Sequence, residues 1–266
     1  MKRYLISASH RFILLFFFLL PLMFLSAGKV TDSEFYQLTV YHYKTATQEN
    51  TIDNYLKNAL LPTLHRLHVN NIGVFKSLAN DTSADKLIYV LVTIKSLDEF
   101  TKLAAKLDAD ATYQKAGSDY INAQYTEPAY TRKETIVLHA FPLAPQMQLP
   151  VLKSAFANRV YELRSYESAS EEIFQNKVKM FNEGGEIYLF KRLNFNGIFY
   201  SEVIAGGKMP NLMYMTSFEN MADRDAHWKA FVDDPFWKKL SAMPEYQNNV
   251  SKIDIVFLHP ASYSDF

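Results

Sequence analysis

Residues 35–141 and 158–260 carry matching side chains in the same order at an offset of 124 or 125 positions. Tyr36, Leu38 and Tyr41 recur as Tyr161, Leu163 and Tyr166. Gly73 and Phe75 recur as Gly197 and Phe199, and Leu87 and Tyr89 as Leu212 and Tyr214. Asp110, Tyr113 and Lys115 recur as Asp234, Trp237 and Lys239. Agreement in both order and spacing reads as an internal duplication, so the chain must adopt a fold that can be built twice.

Each repeat spells the same elements. Phe35–Tyr43 and Asn158–Ser168 alternate as β-strands. In the first repeat, Ile52, Tyr55, Leu56, Ala59, Leu60, Leu64 and Leu67 recur at helical spacing over about 50–68. Thr47 is the expected cap, and Pro62 the expected kink. Strands follow from Ile72 and over Lys86–Thr93, then a helix opened by Ser96 and Glu99 as a capping box. Asp110 caps a short helix, and Thr135–Phe141 is the fourth strand. The second repeat has the same order, with Ser168 and Glu171 as the expected capping box and Gly184-Gly185 as a helix stop. Strands are predicted over Gly197–Ala205, Asn211–Phe218 and Ser251–His259. Asn220 caps one helix, and Asp234 caps another with Pro235 at its first position. The order β-α-β-β-α-β is the ferredoxin-like motif. Pro142, Pro145 and Pro150 interrupt the chain between the repeats. The expected organisation is therefore a unit at 33–141, a linker at 142–157 and a unit at 158–260.

The start of the chain follows a different logic. Lys2, Arg3 and Arg11 precede or open an apolar run, Phe12–Leu25, broken by Pro21 and followed by Ser26-Ala27-Gly28. Residues 1–28 read as a secretory signal peptide, placing the mature chain in the periplasm or outside the cell. Membrane attachment is expected only if this segment stays uncleaved as an anchor. There is no cysteine, so neither a disulfide nor thiol catalysis is available. Three of the 28 basic residues and none of the 28 acidic ones lie in residues 1–28, which leaves the mature chain near −3. Such a balance argues against nucleic acid as a partner.

Two stretches of the second repeat resemble the NIPSNAP family. Val160-Tyr161-Glu162-Leu163-Arg164-Ser165-Tyr166 is similar to its opening strand. Asp223-Arg224-Asp225-Ala226-His227-Trp228 with Asp234-Pro235-Phe236-Trp237 is similar to its closing helical motif, and Tyr214 lies on the strand between. The first repeat is a degenerate copy: Asp110-Ala111-Thr112-Tyr113 stands in place of the Asp-Pro-x-Trp pattern. The resemblance implies an α+β fold of tandem ferredoxin-like domains of the dimeric α/β-barrel type. The units then pair sheet to sheet, either within the chain as a pseudo-dimer or between chains as a homo-oligomer. Relatives by fold include cofactor-free monooxygenases and haem enzymes, so an enzyme of the cofactor-free kind is the alternative to a binding or interaction module.

Candidate site residues follow from the alternation. With Tyr161 and Leu163 assigned to the helix side, Glu162, Arg164 and Tyr166 face into the barrel. There they form a polar anchor in an aromatic pocket for a small apolar or aromatic ligand, or an ion pair that fixes sheet packing. Tyr214, His227, Trp228 and Trp237 complete the candidate ligand-binding set, and Arg224 is expected to hold the Asp234 loop. The first repeat has Gln37 and Thr39 at the equivalent positions, so the pocket is asymmetric. His139 and His259 are placed at a barrel mouth. His65 and His68 stand three apart without further ligands nearby, so no metal is expected. No dinucleotide or nucleophile motif is present, and no cofactor is expected.

Overall fold

Alternating side chains set the first strand, β1 (Phe35–Tyr43), and Thr45 starts the helix after it. The Thr45 hydroxyl accepts from Gln48 N, while the Gln48 side chain takes the Thr45 amide in return. That capping box replaces the predicted Thr47 cap and opens α1 (Ala46–Tyr55). The helix continues through a wide π turn, Leu56–Leu60, into α2 (Leu61–Arg66). Pro62 has no amide hydrogen to return to the preceding turn, and the widened turn absorbs the mismatch. The computed structural model describes residues 32–266. The leader, read above as a signal peptide or anchor, lies outside the described residues.

The remaining elements of the first half are β2 (Gly73–Ser77), β3 (Lys86–Ile94), α3 (Leu97–Asp108), α4 (Ala111–Ala116), α5 (Ser118–Ile121) and β4 (Arg132–Ala140). The second half has β5 (Val160–Glu167), α6 (Glu171–Asn182), α7 (Glu186–Arg192), β6 (Gly197–Ala205), β7 (Asn211–Phe218), α8 (Met221–Asp233), α9 (Pro235–Ser241) and β8 (Lys252–Pro260). Ser96, Asp110, Asn220 and Asp234 cap α3, α4, α8 and α9 as the sequence predicts. The Glu99 carboxylate accepts from Lys95 N. α6 differs: its cap is Ser170, which accepts from Ile173 N, because the Ser168 hydroxyl donates to the Asn249 carbonyl. Ser170→Ala is expected to cost about 1 kcal/mol, read as a lower urea midpoint with unchanged slope, whereas a cap at Ser168 predicts no loss there.

The eight strands close into one antiparallel barrel in the order β1-β3-β2-β8-β5-β7-β6-β4. Each half contributes the order fourth-first-third-second, the ferredoxin-like arrangement. The second strand of each half pairs with the fourth of the other: Lys76 lies opposite His259, and Leu138 opposite Val203. Pairing is therefore within a single chain. Closure removes both pairs of open sheet edges.

Inside the barrel the halves interlock through equivalent rings. Tyr36 packs on Phe199 with centroids 5.3 Å apart, and Tyr161 packs on Phe75 at 4.7 Å. Leu38, Tyr89, Leu91, Leu163, Met213 and Met215 fill the space between. Gly73 is required here. A Cβ at that position would fall 2.5 Å from the Phe75 ring, which is fully buried. A pocket of about 230 Å³ remains at one mouth, reaching Ser165, Asn211 and Asp254. That is below the roughly 300 Å³ usual for a ligand site.

The interior reverses one assignment made from sequence. Tyr161 and Leu163 face the barrel, while Glu162, Arg164 and Tyr166 face the helices. Both faces of β5 are buried, so alternation separates two sets of side chains without saying which is inside. The charged set goes outward because α8 brings Arg224 and Trp228 to meet Glu162. His139 and His259 also point outward. They adjoin the inward Leu138 and Leu258 and so lie on the opposite strand face, not at a barrel mouth.

Candidate functional site

The charged and aromatic residues predicted from β5 meet α8 in the layer between sheet and helices. Glu162 is fully buried, and its carboxylate accepts four hydrogen bonds. Arg164 Nε donates to Oε1 at 2.6 Å and Arg224 Nη2 to the same oxygen at 3.0 Å. Arg224 Nε and Trp228 Nε1 each donate to Oε2 at 2.7 Å. An ionised carboxylate offers about four lone-pair positions, so this one is saturated. Burial pushes the Glu162 carboxyl up, but the Arg224 hydrogen bonds and the Arg164 charge outweigh it and hold the group below the ordinary carboxylate range.

Arg164 extends the network. Its guanidinium lies 3.6 Å from the Trp228 ring centre, a cation–π contact, and Nη1 donates to the Tyr166 hydroxyl at 3.0 Å. Tyr166 and Tyr214 share a hydrogen bond of 2.8 Å, and Tyr200 stacks on Tyr214. Burial raises the Tyr214 hydroxyl well above its usual value. Phe190, Phe195 and Phe231 pack around Trp228. Five of the seven predicted residues, Glu162, Arg164, Tyr166, Tyr214 and Trp228, thus form one connected set.

The other two lie apart from it. His227 Nδ1 is 2.8 Å from the Asp223 carbonyl oxygen, and its ring packs on Phe195 and Phe218. Trp237 packs on Phe231 at 4.5 Å. The Asp234 loop is held by Arg192 at 2.9 Å, not by Arg224, whose hydrogen bonds go to Glu162 and Asp225. The first half repeats that arrangement with Arg66 and Asp110 at 2.8 Å. Of the histidines, His139 stacks on Phe35 and lies 3.4 Å from Glu202. Burial and the nearby Lys76 charge lower the proton affinity of His259. His65 bonds to Asp265 at 2.9 Å.

Two features went unread in the sequence. Lys177 and Glu186 form a buried ion pair at 2.9 Å, with the ammonium 4.7 Å from the Phe181 ring centre. The signal was a lysine among Phe174, Val178 and Phe181 on one helical face. The second feature is a one-residue slip between the halves. Thr39 lies opposite Val90, whereas Arg164 lies opposite Tyr214. Val90, not Tyr89, is therefore the structural counterpart of Tyr214. Tyr89 faces the barrel.

Helices packed outside an eight-stranded antiparallel barrel, closed from two ferredoxin-like halves, define a protein of the dimeric α/β-barrel type. Residues 161–265 match the family model described as NIPSNAP, so the second half of the chain is a NIPSNAP domain. Similar solved structures include a protein described as a candidate monooxygenase from Lactobacillus acidophilus NCFM, at 12% identity, 86% of this chain, 94% of that one and a TM-score of 0.54. A second candidate monooxygenase, from Fusobacterium nucleatum, matches at 6% identity over 86% and 93% with a TM-score of 0.55. At these identities the likeness is one of fold. A NIPSNAP family protein from Agrobacterium tumefaciens matches at 16% identity, covering 45% of this chain and 98% of that one, with a TM-score of 0.36. None of the curated proteins matches the chain.

Proposed function

We propose that this protein is an exported, tandemly duplicated NIPSNAP binding module that holds a small apolar or aromatic molecule between its sheet and its helices. The observation that carries this reading is the make-up of that layer: closely packed aromatic rings with a few placed polar groups, the composition of small-molecule sites. In the second half the Glu162 network fills the layer beneath α8, with His227 seating that helix on Phe195 and Phe218 and Trp237 packing on its Phe231. A single chain closes the barrel, so the module works as an intra-chain pseudo-dimer. The basic, apolar and small-residue sequence of residues 1–28 supports export. Among the described residues no helix is long and apolar enough to cross a membrane.

The alternative reading, a cofactor-free monooxygenase, requires a base at a chamber. Glu162 has no acceptor position left. His139, His227 and His259 line neither the barrel-mouth pocket, whose histidine is His42, nor the clefts between the sheet and α3 and between β6 and α7. Their placement favours binding over turnover. Native mass spectrometry of protein purified from its own source tests the reading. A co-purifying small molecule, released on denaturation, is expected. A bare chain that also ignores a panel of neutral aromatic compounds would defeat it.

A further inference from the structure

The two halves differ most where the Glu162 network sits. Strand register and helix caps fix the equivalences independently. Thr39 opposite Val90 corresponds to Arg164 opposite Tyr214. The caps Ser96 and Asn220 align α3 with α8, setting Phe100 against Arg224 and Ala104 against Trp228. Gln37 corresponds to Glu162. In the second half Arg164, Tyr214 and Trp228 fill the layer, with the guanidinium stacked on the indole. In the first half Thr39, Val90 and Ala104 leave it empty. A cleft of about 390 Å³ lies there, and all five replacements line it. It opens to solvent between Ala104 on α3 and Lys133 and Thr135 on β4.

We propose that this cleft is the ligand site, and that it takes a neutral, planar aromatic molecule bearing one hydroxyl or carbonyl group. The proposal rests on the binding reading above and locates it. The size falls in the usual range for small-molecule sites. The walls are rings: Tyr41, Tyr55, Phe100 and Tyr113 line the space. Tyr55 and Tyr113 bond to each other through their hydroxyls at 2.8 Å, and Tyr120 stacks on one face of the Tyr55 ring and holds it in place. The floor is polar and uncharged. The Gln37 amide donates to Thr39 Oγ1 at 3.0 Å, leaving the Gln37 carbonyl as an acceptor and the Thr39 hydroxyl as a donor. Two complementary neutral groups side by side suit one hydroxyl or carbonyl. An ionic group would lose its hydration against a floor without a counter-charge. The charged lining residues, Lys133 and Asp108, are exposed.

The test uses the full mature chain, with 1-naphthol as the neutral probe and 1-naphthoate as its charged counterpart, followed by isothermal titration. Saturable binding of 1-naphthol is expected, at least tenfold tighter than that of 1-naphthoate. Ala104→Trp restores the ring that the second half carries and is expected to weaken 1-naphthol at least tenfold. Thr39→Val keeps the shape, removes the hydroxyl and is expected to weaken it about fivefold. It decides the matter alone if Ala104→Trp fails to fold. If wild type binds and a folded variant binds equally well, the site lies elsewhere and this inference falls, while the binding reading stands. If 1-naphthoate binds as tightly, the assignment to neutral ligands falls. If wild type binds neither probe, the inference falls. The binding reading falls with it only if native mass spectrometry also shows a bare chain.

Discussion

Glu162→Gln lowers the stability of the folded chain by about 3–5 kcal/mol, the usual cost of breaking a buried ion pair from one side. The reason is the pair of cations that it strands. Arg164 and Arg224 both direct Nε at this carboxylate, and both side chains are mostly buried. A neutral amide keeps one acceptor oxygen where the carboxylate had two, so two of the four donors face its NH2 hydrogens, and both guanidinia lose their counter-charge. At roughly 2–4 °C per kcal/mol for a chain of this size, the melting temperature falls by about 10 °C. Scanning calorimetry measures it.

The same substitution changes the acid limb. The Glu162 carboxyl is held below its ordinary range in the folded chain. Its contribution to stability is therefore complete above the unfolded value, about 4.3, and is lost as pH falls through the lower folded value. Wild type is expected to lose stability on acidification below about pH 4, and Glu162→Gln to lose less over the same interval. Equal acid slopes, or a melting shift under 2 °C, would show that the network contributes little. Replacing Glu162, Arg164 and Arg224 together by apolar residues is expected to cost less than the single change, because no stranded charge remains.

Phe75→Ala, in the first half, is expected to shift the unfolding of the second half. The ring is fully buried in the barrel against Tyr161. Its removal costs about 3–5 kcal/mol through lost burial and the cavity left behind. Both tryptophans, Trp228 and Trp237, lie in the second half, so their fluorescence reports that half alone, while circular dichroism reports both. Because each half's second strand pairs with the other's fourth, neither sheet has a free edge until the barrel opens. The fluorescence and dichroism midpoints are expected to fall together in urea. An unmoved fluorescence midpoint would make the halves independent domains.

Local signals in the chain located most of the elements. Alternation in 35–43 and 160–167, the side-chain caps at Asp110, Asn220 and Asp234, and the stop at Gly184-Gly185 each act within a few residues. Their physics is complete in the sequence. The neighbouring serines 168 and 170 show the limit. Either can cap a helix, and the choice fell to Asn249, some 80 positions away, whose carbonyl engages Ser168. Leu87/Tyr89 and Leu212/Tyr214 look alike as letters, yet strand pairing shifts them by one residue and turns the tyrosines to opposite faces.

The sequence by itself determined that the same βαββαβ order is written twice and that Glu162, Arg164 and Tyr166 share one strand face, because strand period and helix capping are short-range. Only the tertiary structure decided that this face meets the helices. A carboxylate buried from water goes wherever its donors are, and Arg224 and Trp228 arrive from a helix some 60 residues later. The closing of two sheets into one barrel, and the space left where Thr39, Val90 and Ala104 come together, are likewise properties of long-range pairing that no local window contains.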